Sequence, residues 1–193
     1  MSSSPALQPA SVLSLNDLQV SMTLAVPTFS NGNVVGQHQD SYVSIFNESY
    51  LLERKEFDTS GKLLWQVRRE LALYNESQVL PQSSTIVYQD GTMVTSLREY
   101  NNALEPLEER LYVDGVQQMC KIYSYDGEKL VNVDQTLYTV QGLFSRRQRD
   151  QLVSRDGTTF AKRQLFDKDG KVIADYPEVA SEELITSGVC IEI

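Results

Sequence analysis

The stretch Lys62–Tyr74, KLLWQVRRELALY, decides the fold. Leu63, Trp65, Val67, Leu71 and Leu73 fall on every second position, and Gln66, Arg68, Glu70 and Tyr74 fill the alternate ones. Successive side chains of a strand point to opposite faces, so this alternation is a half-buried β-strand, apolar side in and polar side out. Arg69 breaks the pattern, standing on the apolar face in line with Val67 and Leu71. A one-residue slip of register would expose Trp65 and the aliphatic side chains instead, so the arginine has to face inward.

The same grammar of strand and turn continues on both sides. Asp-Gly pairs stand at 90–91, 114–115, 126–127, 156–157 and 169–170, each between strand-like residues. With Asn31-Gly32 and Ser60-Gly61 they place seven of the ten glycines in tight turns, where positive φ favours Asn, Asp and Gly. Turns this frequent leave no room for parallel crossovers of a dozen or more residues. The spacings between successive turn glycines from Gly61 onward, 30, 24, 12, 30 and 13, fit no single repeat. They suit long strands turning at alternate ends of a barrel or curved sheet.

Upstream, residues 1–12 (MSSSPALQPASV) read as a disordered tail. A strand is expected at 18–26, ended by Pro27, with further strands at 41–47 and 49–58 and His38 in a polar loop between Gln37 and Gln39. Pro177–Thr186, PEVASEELIT, has proline and acids in its first turn and predicts a short helix. The final GVCIEI predicts a closing strand. The expected architecture is all-β: an antiparallel up-and-down meander, a closed or nearly closed barrel of about 8–10 strands with one short C-terminal helix. Residues 13–193 then form a single domain, in keeping with the usual size of β units.

Composition narrows the function classes. Twenty-six acids against 17 bases give a net charge of −9, and no Lys or Arg precedes Arg54. Phosphate binding draws on clustered Lys and Arg, so a general nucleic-acid binder is not expected. Cys120 and Cys190, the two cysteines, match no metal spacing and read as reduced packed thiols. Residues 1–12 lack the basic start of a secretory signal, and no apolar run there nears the ~20 residues of a membrane span. The expected location is cytoplasmic.

Chemical motifs are sparse. With a single histidine, His-rich metal sites and most His-based relays are excluded. Asp167-Lys168-Asp169-Gly170 resembles part of a calcium loop, but Leu165 and Tyr176 occupy its first and twelfth positions, so it reads as a turn. No catalytic residue and no metal ligand is assigned. Two features point to ligand binding. Arg146, Arg147 and Arg149 form the one basic cluster, and on a strand Arg147 and Arg149 share a face. They serve either as a charged, protected edge or as a site for an anion or carboxylate. Arg69 on its apolar face requires a partner, because an unpaired buried guanidinium is costly. That partner is either Glu109, which stands on the apolar face of LEERLYV, or the acid of a bound ligand. Trp65, on the same face as Arg69, is expected to line the pocket.

The meander over roughly residues 40–193, with the closing segments RQLFDKDGKVI at 163–173 and GVCIEI at 188–193, resembles the calycin superfamily of lipocalin-like barrels. Those closing segments look like the last strands of calycin-type proteins of cyanobacteria, a group that includes lyases attaching bilin chromophores. The Gly-x-Trp signature of true lipocalins is absent, since Trp65 in KLLWQV has no glycine two residues before it. The resemblance implies a barrel interior and a bilin or another small apolar acid as ligand, with no other cofactor. It carries no site residue onto this chain. The expected function is a non-catalytic binding protein that holds a small, mostly apolar acid through Trp65 and Arg69, or through Arg147 and Arg149. The alternatives are an acidic protein–protein module, inhibitor or chaperone-like, that meets a basic partner, and a chromophore lyase of the calycin type.

Overall fold

The computed structural model describes residues 9, 11–13, 19–74 and 78–180. Every regular element among them is a strand, and strand pairing is antiparallel. Contacts divide the chain into two compact units, one of Leu7–Arg98 with Tyr112–Gly115, the other containing Glu99–Leu111 and the residues from Val116 onward.

The N-terminal unit holds β1 (Ser11–Leu13), β2 (Met22–Ser30), β3 (Asn33–Ile45), β4 (Glu48–Asp58), β5 (Leu63–Tyr74), β6 (Gln78–Tyr88) and most of β7 (Met93–Tyr100). Strands β2 to β7 pair in sequence order, and β1 adds to β5. The turns explain the regularity. Asn31 and Gly32 have φ of 48° and 79°, as a type I′ hairpin needs. The Asp58 carboxylate accepts hydrogen bonds from the backbone N–H groups of Ser60 and Lys62 at 2.8 and 2.9 Å, closing the β4–β5 turn. Phe46 and Asn47 turn β3 into β4 with φ of 53° and 66°, a hairpin without the glycine that would advertise it.

Two expectations are corrected here. Pro27 does not end β2 but sits inside it opposite Gln37. β2 lies at the end of the sheet path, where a proline can stand without removing a ladder hydrogen bond. His38 is not in a loop: Asn33–Ile45 is one continuous strand with His38 opposite both Val26 and Glu56. Its polar composition hid it, because neither face of that segment is wholly apolar.

The core of this unit is Val43, Leu52, Leu71 and Val79, with Ile45, Tyr50 and Leu73 packed against it. Leu52 and Ala72 are fully buried. Gly36 is required at its position, because a Cβ there would stand 2.1 Å from the carbonyl oxygen of Phe57 on the neighbouring strand.

The C-terminal unit holds most of β8 (Pro106–Val113), then β9 (Val116–Asp126), β10 (Lys129–Tyr138), β11 (Phe144–Arg155), β12 (Thr158–Phe166), β13 (Val172–Asp175) and β14 (Val179–Ala180). Strands β8 to β13 again pair in order, and β14 lies on β12. The Asp-Gly turns fall where expected, with Asp156 and Gly157 at φ of 50° and 80° between β11 and β12.

The expected strand number was too low, since 14 strands are present among the described residues. Turns such as Phe46–Asn47 and the one ending at Gly142 had no Asn-Gly or Asp-Gly pair to mark them. Among the described residues no pairing joins β2 to β13, so closure into a barrel is not shown. Hairpin turns make successive strands antiparallel, but closure also needs a matched tilt and shear that no turn encodes. No helix occurs among the described residues. Where the helix Pro177–Thr186 was expected to begin, Val179–Ala180 pairs with Ala161 and Phe160, and Glu178 is drawn to Arg155 at 3.0 Å. The rest of that segment, the closing GVCIEI and Cys190 lie outside the described residues. Among the described residues no helix is long and apolar enough to cross a membrane.

Candidate functional site

The alternation of KLLWQVRRELALY puts Trp65, Val67, Arg69 and Leu71 on one face of β5, as the sequence requires. The register extends that face sideways. Val67 is opposite Arg54 on β4 and Ile86 on β6, and Arg54 is opposite Asp40 on β3. Arg69 is opposite Ser84, which is opposite Ser96 on β7. Trp65 is opposite Glu56 and Tyr88. Directly opposed residues of an antiparallel pair share a face, so these side chains form one surface of the N-terminal unit.

At one end of this surface lies a buried ion pair. Asp40 is 2% exposed. It accepts two hydrogen bonds from Arg54, Nε to Oδ1 and Nη2 to Oδ2, both at 2.7 Å. The Tyr42 hydroxyl donates to Oδ2 at 3.2 Å, and His38 Nε2 stands 3.8 Å from it. The bidentate bond to Arg54 holds the Asp40 carboxyl below its usual range despite burial. Thr28 adds a second polar link, its hydroxyl donating to Glu56 at 2.6 Å.

Arg69 differs from Arg54. Among the described residues no side chain makes a hydrogen bond or ion pair with its guanidinium. Burial lowers its pKa from the ordinary arginine value, and repulsion from Arg54 and Arg98 lowers it further, with Asp40 and Tyr42 opposing. Glu109, one of its two expected partners, is engaged by the Tyr123 hydroxyl at 3.2 Å and lies 3.9 Å from Lys121. Beside Arg69 the sheet is also irregular. β4 pairs with β5 only as far as Glu53 and Arg68, β1 takes up that edge at Leu71, and a bulge falls between Glu70 and Leu71 on the β6 side. Arg69 therefore stands in a gap on the β4–β1 edge.

The row next to Arg69 is built of small polar residues. Ser84 is 7% and Ser96 5% exposed, and neither hydroxyl is hydrogen-bonded to another described residue. Two short side chains with unused hydroxyls beside a cation are donors of the kind that fix an oxygen-bearing group.

Arg147 and Arg149 share a face of β11, as their spacing requires, but they face a carboxylate of the protein itself. Both donate to Asp134 on β10, Arg147 Nη2 at 2.9 Å and Arg149 Nε at 3.0 and 3.1 Å. Both guanidinium carbons lie over the Phe166 ring, 5.6 and 5.8 Å from its centre. The same unit carries Arg163–Asp150 and Arg110–Glu108 as further bidentate pairs. Cys120 is a free thiol that bonds to Glu108 at 3.2 Å, and burial followed by that carboxylate pushes its pKa to about 11. Among the described residues no group of three or more His, Cys, Asp or Glu side chains is placed to hold a metal ion.

Reading by sequence singled out Trp65 and Arg69 but missed Asp40, Arg54, Ser84 and Ser96. The alternation His38-Asp40-Tyr42 was the available signal for β3, and it is polar throughout. No protein-family model matches the chain, and no curated protein matches it.

Proposed function

We propose that the chain is a non-catalytic binding protein for a small, mostly apolar acid, held on the face of β3–β7. The observation that carries this reading is Arg69: half-buried, repelled by Arg54 and Arg98, and bonded to no carboxylate among the described residues. A ligand acid at that point would supply the missing counter-charge, with the Ser84 and Ser96 hydroxyls as additional donors. Trp65 would flank the apolar body. Four residues of strand separate it from Arg69, about 13 Å at ~3.3 Å per residue, a span that suits a chain of medium length or a flat polycyclic acid. A bilin, the ligand that the calycin resemblance implies, falls within this class. The reading needs a face and a charge, and does not require the sheet to close into a barrel.

Trp65 is the only tryptophan, so its fluorescence reports on this face directly. Titration with dodecanoate and with anilinonaphthalene sulfonate should change Trp65 emission saturably in the native chain. Arg69→Met should weaken binding ten- to hundredfold, the loss of one hydrogen bond to a charged group. Equal affinity in both proteins would overturn the reading.

A second reading, a protein–protein module, draws on β2. Met22, Leu24 and Val26 alternate along that end strand and are each about two-fifths exposed, and contiguous exposed apolar residues mark association surfaces. Under it, Leu24→Lys would abolish association with a basic partner while leaving the fluorescence titration unchanged.

A further inference from the structure

Five turns among the described residues share one bonding pattern: 58–62, 88–92, 101–105, 139–143 and 167–171. In each, the first N–H donates to the fifth carbonyl, and the fourth N–H donates back to the first carbonyl. Four of the five carry polar residues at the second and fifth positions, as in Thr59 with Lys62 and Lys168 with Lys171. The turn between β10 and β11 carries Val140 and Leu143 there instead. Their exposures, 76% and 66%, are the highest of any large apolar side chain among the described residues. Other residues fix this turn. The Thr139 hydroxyl accepts from the N–H groups of Gln141 and Leu143 at 3.3 and 3.2 Å, and Gly142 takes φ of 77°. The backbone geometry therefore gives no reason for Val140 and Leu143, since this chain builds the same turn with polar side chains elsewhere.

The same end of the C-terminal unit adds apolar surface and positive charge. Arg147 is opposite Phe166, so the β12–β13 turn stands at the same end of the sheet as the β10–β11 turn. It leads into Val172 and Ile173, 43% and 60% exposed. From Thr139 to Arg149 the chain has three arginines and no acid, although its net charge is −9. Arg147 and Arg149 share the one Asp134 carboxylate, and Arg146 is exposed. Three guanidinium groups against one bonded carboxylate leave a surplus of two positive charges. The neighbouring turn does not cancel it, because Lys168 and Lys171 there balance Asp167 and Asp169.

We propose that this end of the C-terminal unit docks on an anionic lipid membrane. Val140 and Leu143 enter the boundary between headgroups and acyl chains, and Arg146, Arg147 and Arg149 face the lipid phosphates and carboxylates. A small apolar anchor holds a protein on a membrane stably only when a second signal, such as a basic patch, accompanies it. Both signals lie within residues 139–149. A stable protein partner needs about 800 Å² of complementary surface on each side, far more than two side chains at a turn offer, whereas a fluid lipid surface needs no matching shape. Charge sets the orientation: an anionic leaflet attracts this end and repels the acidic remainder. The inference uses only the C-terminal unit and is independent of the Arg69 reading.

Co-sedimentation of the full chain with vesicles tests it, using phosphatidylcholine alone and phosphatidylcholine mixed with phosphatidylserine. The expected result is binding to the phosphatidylserine vesicles only, weakened by high salt, which screens exposed charges. Val140→Ser/Leu143→Ser keeps Thr139 and Gly142, and with them the turn, and should lower the partition coefficient at least tenfold. Arg146→Gln should lower it about fivefold. Phe29→Ser, which removes a 62% exposed aromatic side chain from the N-terminal unit, should leave it unchanged. A second measurement keeps the tip intact. In a chain with Cys120→Ser and Cys190→Ser, Gln141→Cys carries an acrylodan probe, whose emission should shift to the blue on phosphatidylserine vesicles. No binding to these vesicles, or equal binding to both kinds, would overturn the proposal. So would binding that survives the tip variant, that is lost equally in Phe29→Ser, or that leaves the probe's emission unshifted. Self-association that the tip variant abolishes, without any vesicle binding, would overturn it in favour of a protein interface.

Discussion

Replacing Arg69 by methionine separates a structural arginine from a ligand-binding one. In this structure Arg69 is half-buried, Arg54 and Arg98 repel it, and no described side chain bonds to it. Methionine keeps the length and the apolar contacts of the side chain and removes the charge. Exchanging buried charges for apolar residues of similar volume gains ~1–4 kcal/mol. Partial exposure of Arg69 and the opposing attraction of Asp40 place this case at the low end, about 1 kcal/mol. For a chain of this size that is a rise in Tm of about 2–4 °C. The gain should shrink in 1 M salt, where the screening length falls to ~3 Å and Arg54 and Arg98 repel Arg69 less. Arg68→Met is the matched control on the opposite face, where Arg68 has a 55% exposed side chain paired with Glu53 at 2.9 Å. Its effect should stay within ~0.5 kcal/mol. Differential scanning fluorimetry of the two variants and the native chain, at low and high salt, gives the comparison. A fall in Tm of 3 °C or more for Arg69→Met would refute the reasoning, because it would mean that the guanidinium already holds a partner within the fold.

Four further outcomes follow from other contacts. Arg54→Met leaves the Asp40 carboxylate buried without its bidentate partner, and urea unfolding at pH 7 should show a loss of about 2–3 kcal/mol, below the ~3–5 kcal/mol of a fully buried pair because Arg54 is partly exposed. The pH dependence has a definite sign: the folded pKa of Asp40 is depressed, so its contribution is fully present above the unfolded carboxyl value of ~3.9 and is lost as pH falls through the folded value. Asp40→Asn should therefore flatten the acid limb of the stability profile, and an unchanged limb would count against the pair. Gly36→Ala drives a methyl into the Phe57 carbonyl oxygen and should cost more than the ~1 kcal/mol typical of a point substitution. Gly32→Ala, strained in φ but with open space around it, should cost less, and a thermal melt of each variant checks the order. The Cys120 thiol, with a pKa near 11, should react with iodoacetamide at pH 8 about a hundredfold more slowly than a free thiol of pKa ~8.5, and Glu108→Gln should speed it.

The chain's local chemistry determined its class of fold. Alternation in Lys62–Tyr74 is a property of one strand, and Asn-Gly and Asp-Gly pairs shape a hairpin through their own φ values, so both can be read without knowing what lies opposite. That suffices for an antiparallel meander and for placing Trp65, Val67 and Arg69 on one face. Tertiary structure alone decided which residues meet on that face. Asp40 and Arg54 lie 14 residues apart and are brought together by the β3–β4 register, itself shifted by a bulge between Ser41 and Tyr42. Ser84 and Ser96 have no pattern in their own strands that marks them as neighbours of a cation. The arrival of β1 beside Leu71, where β4 leaves β5, joins segments some sixty residues apart. Local sequence sets dihedrals and faces. Partners across the sheet depend on register and on which edges remain free, and those are settled only when the whole chain has folded.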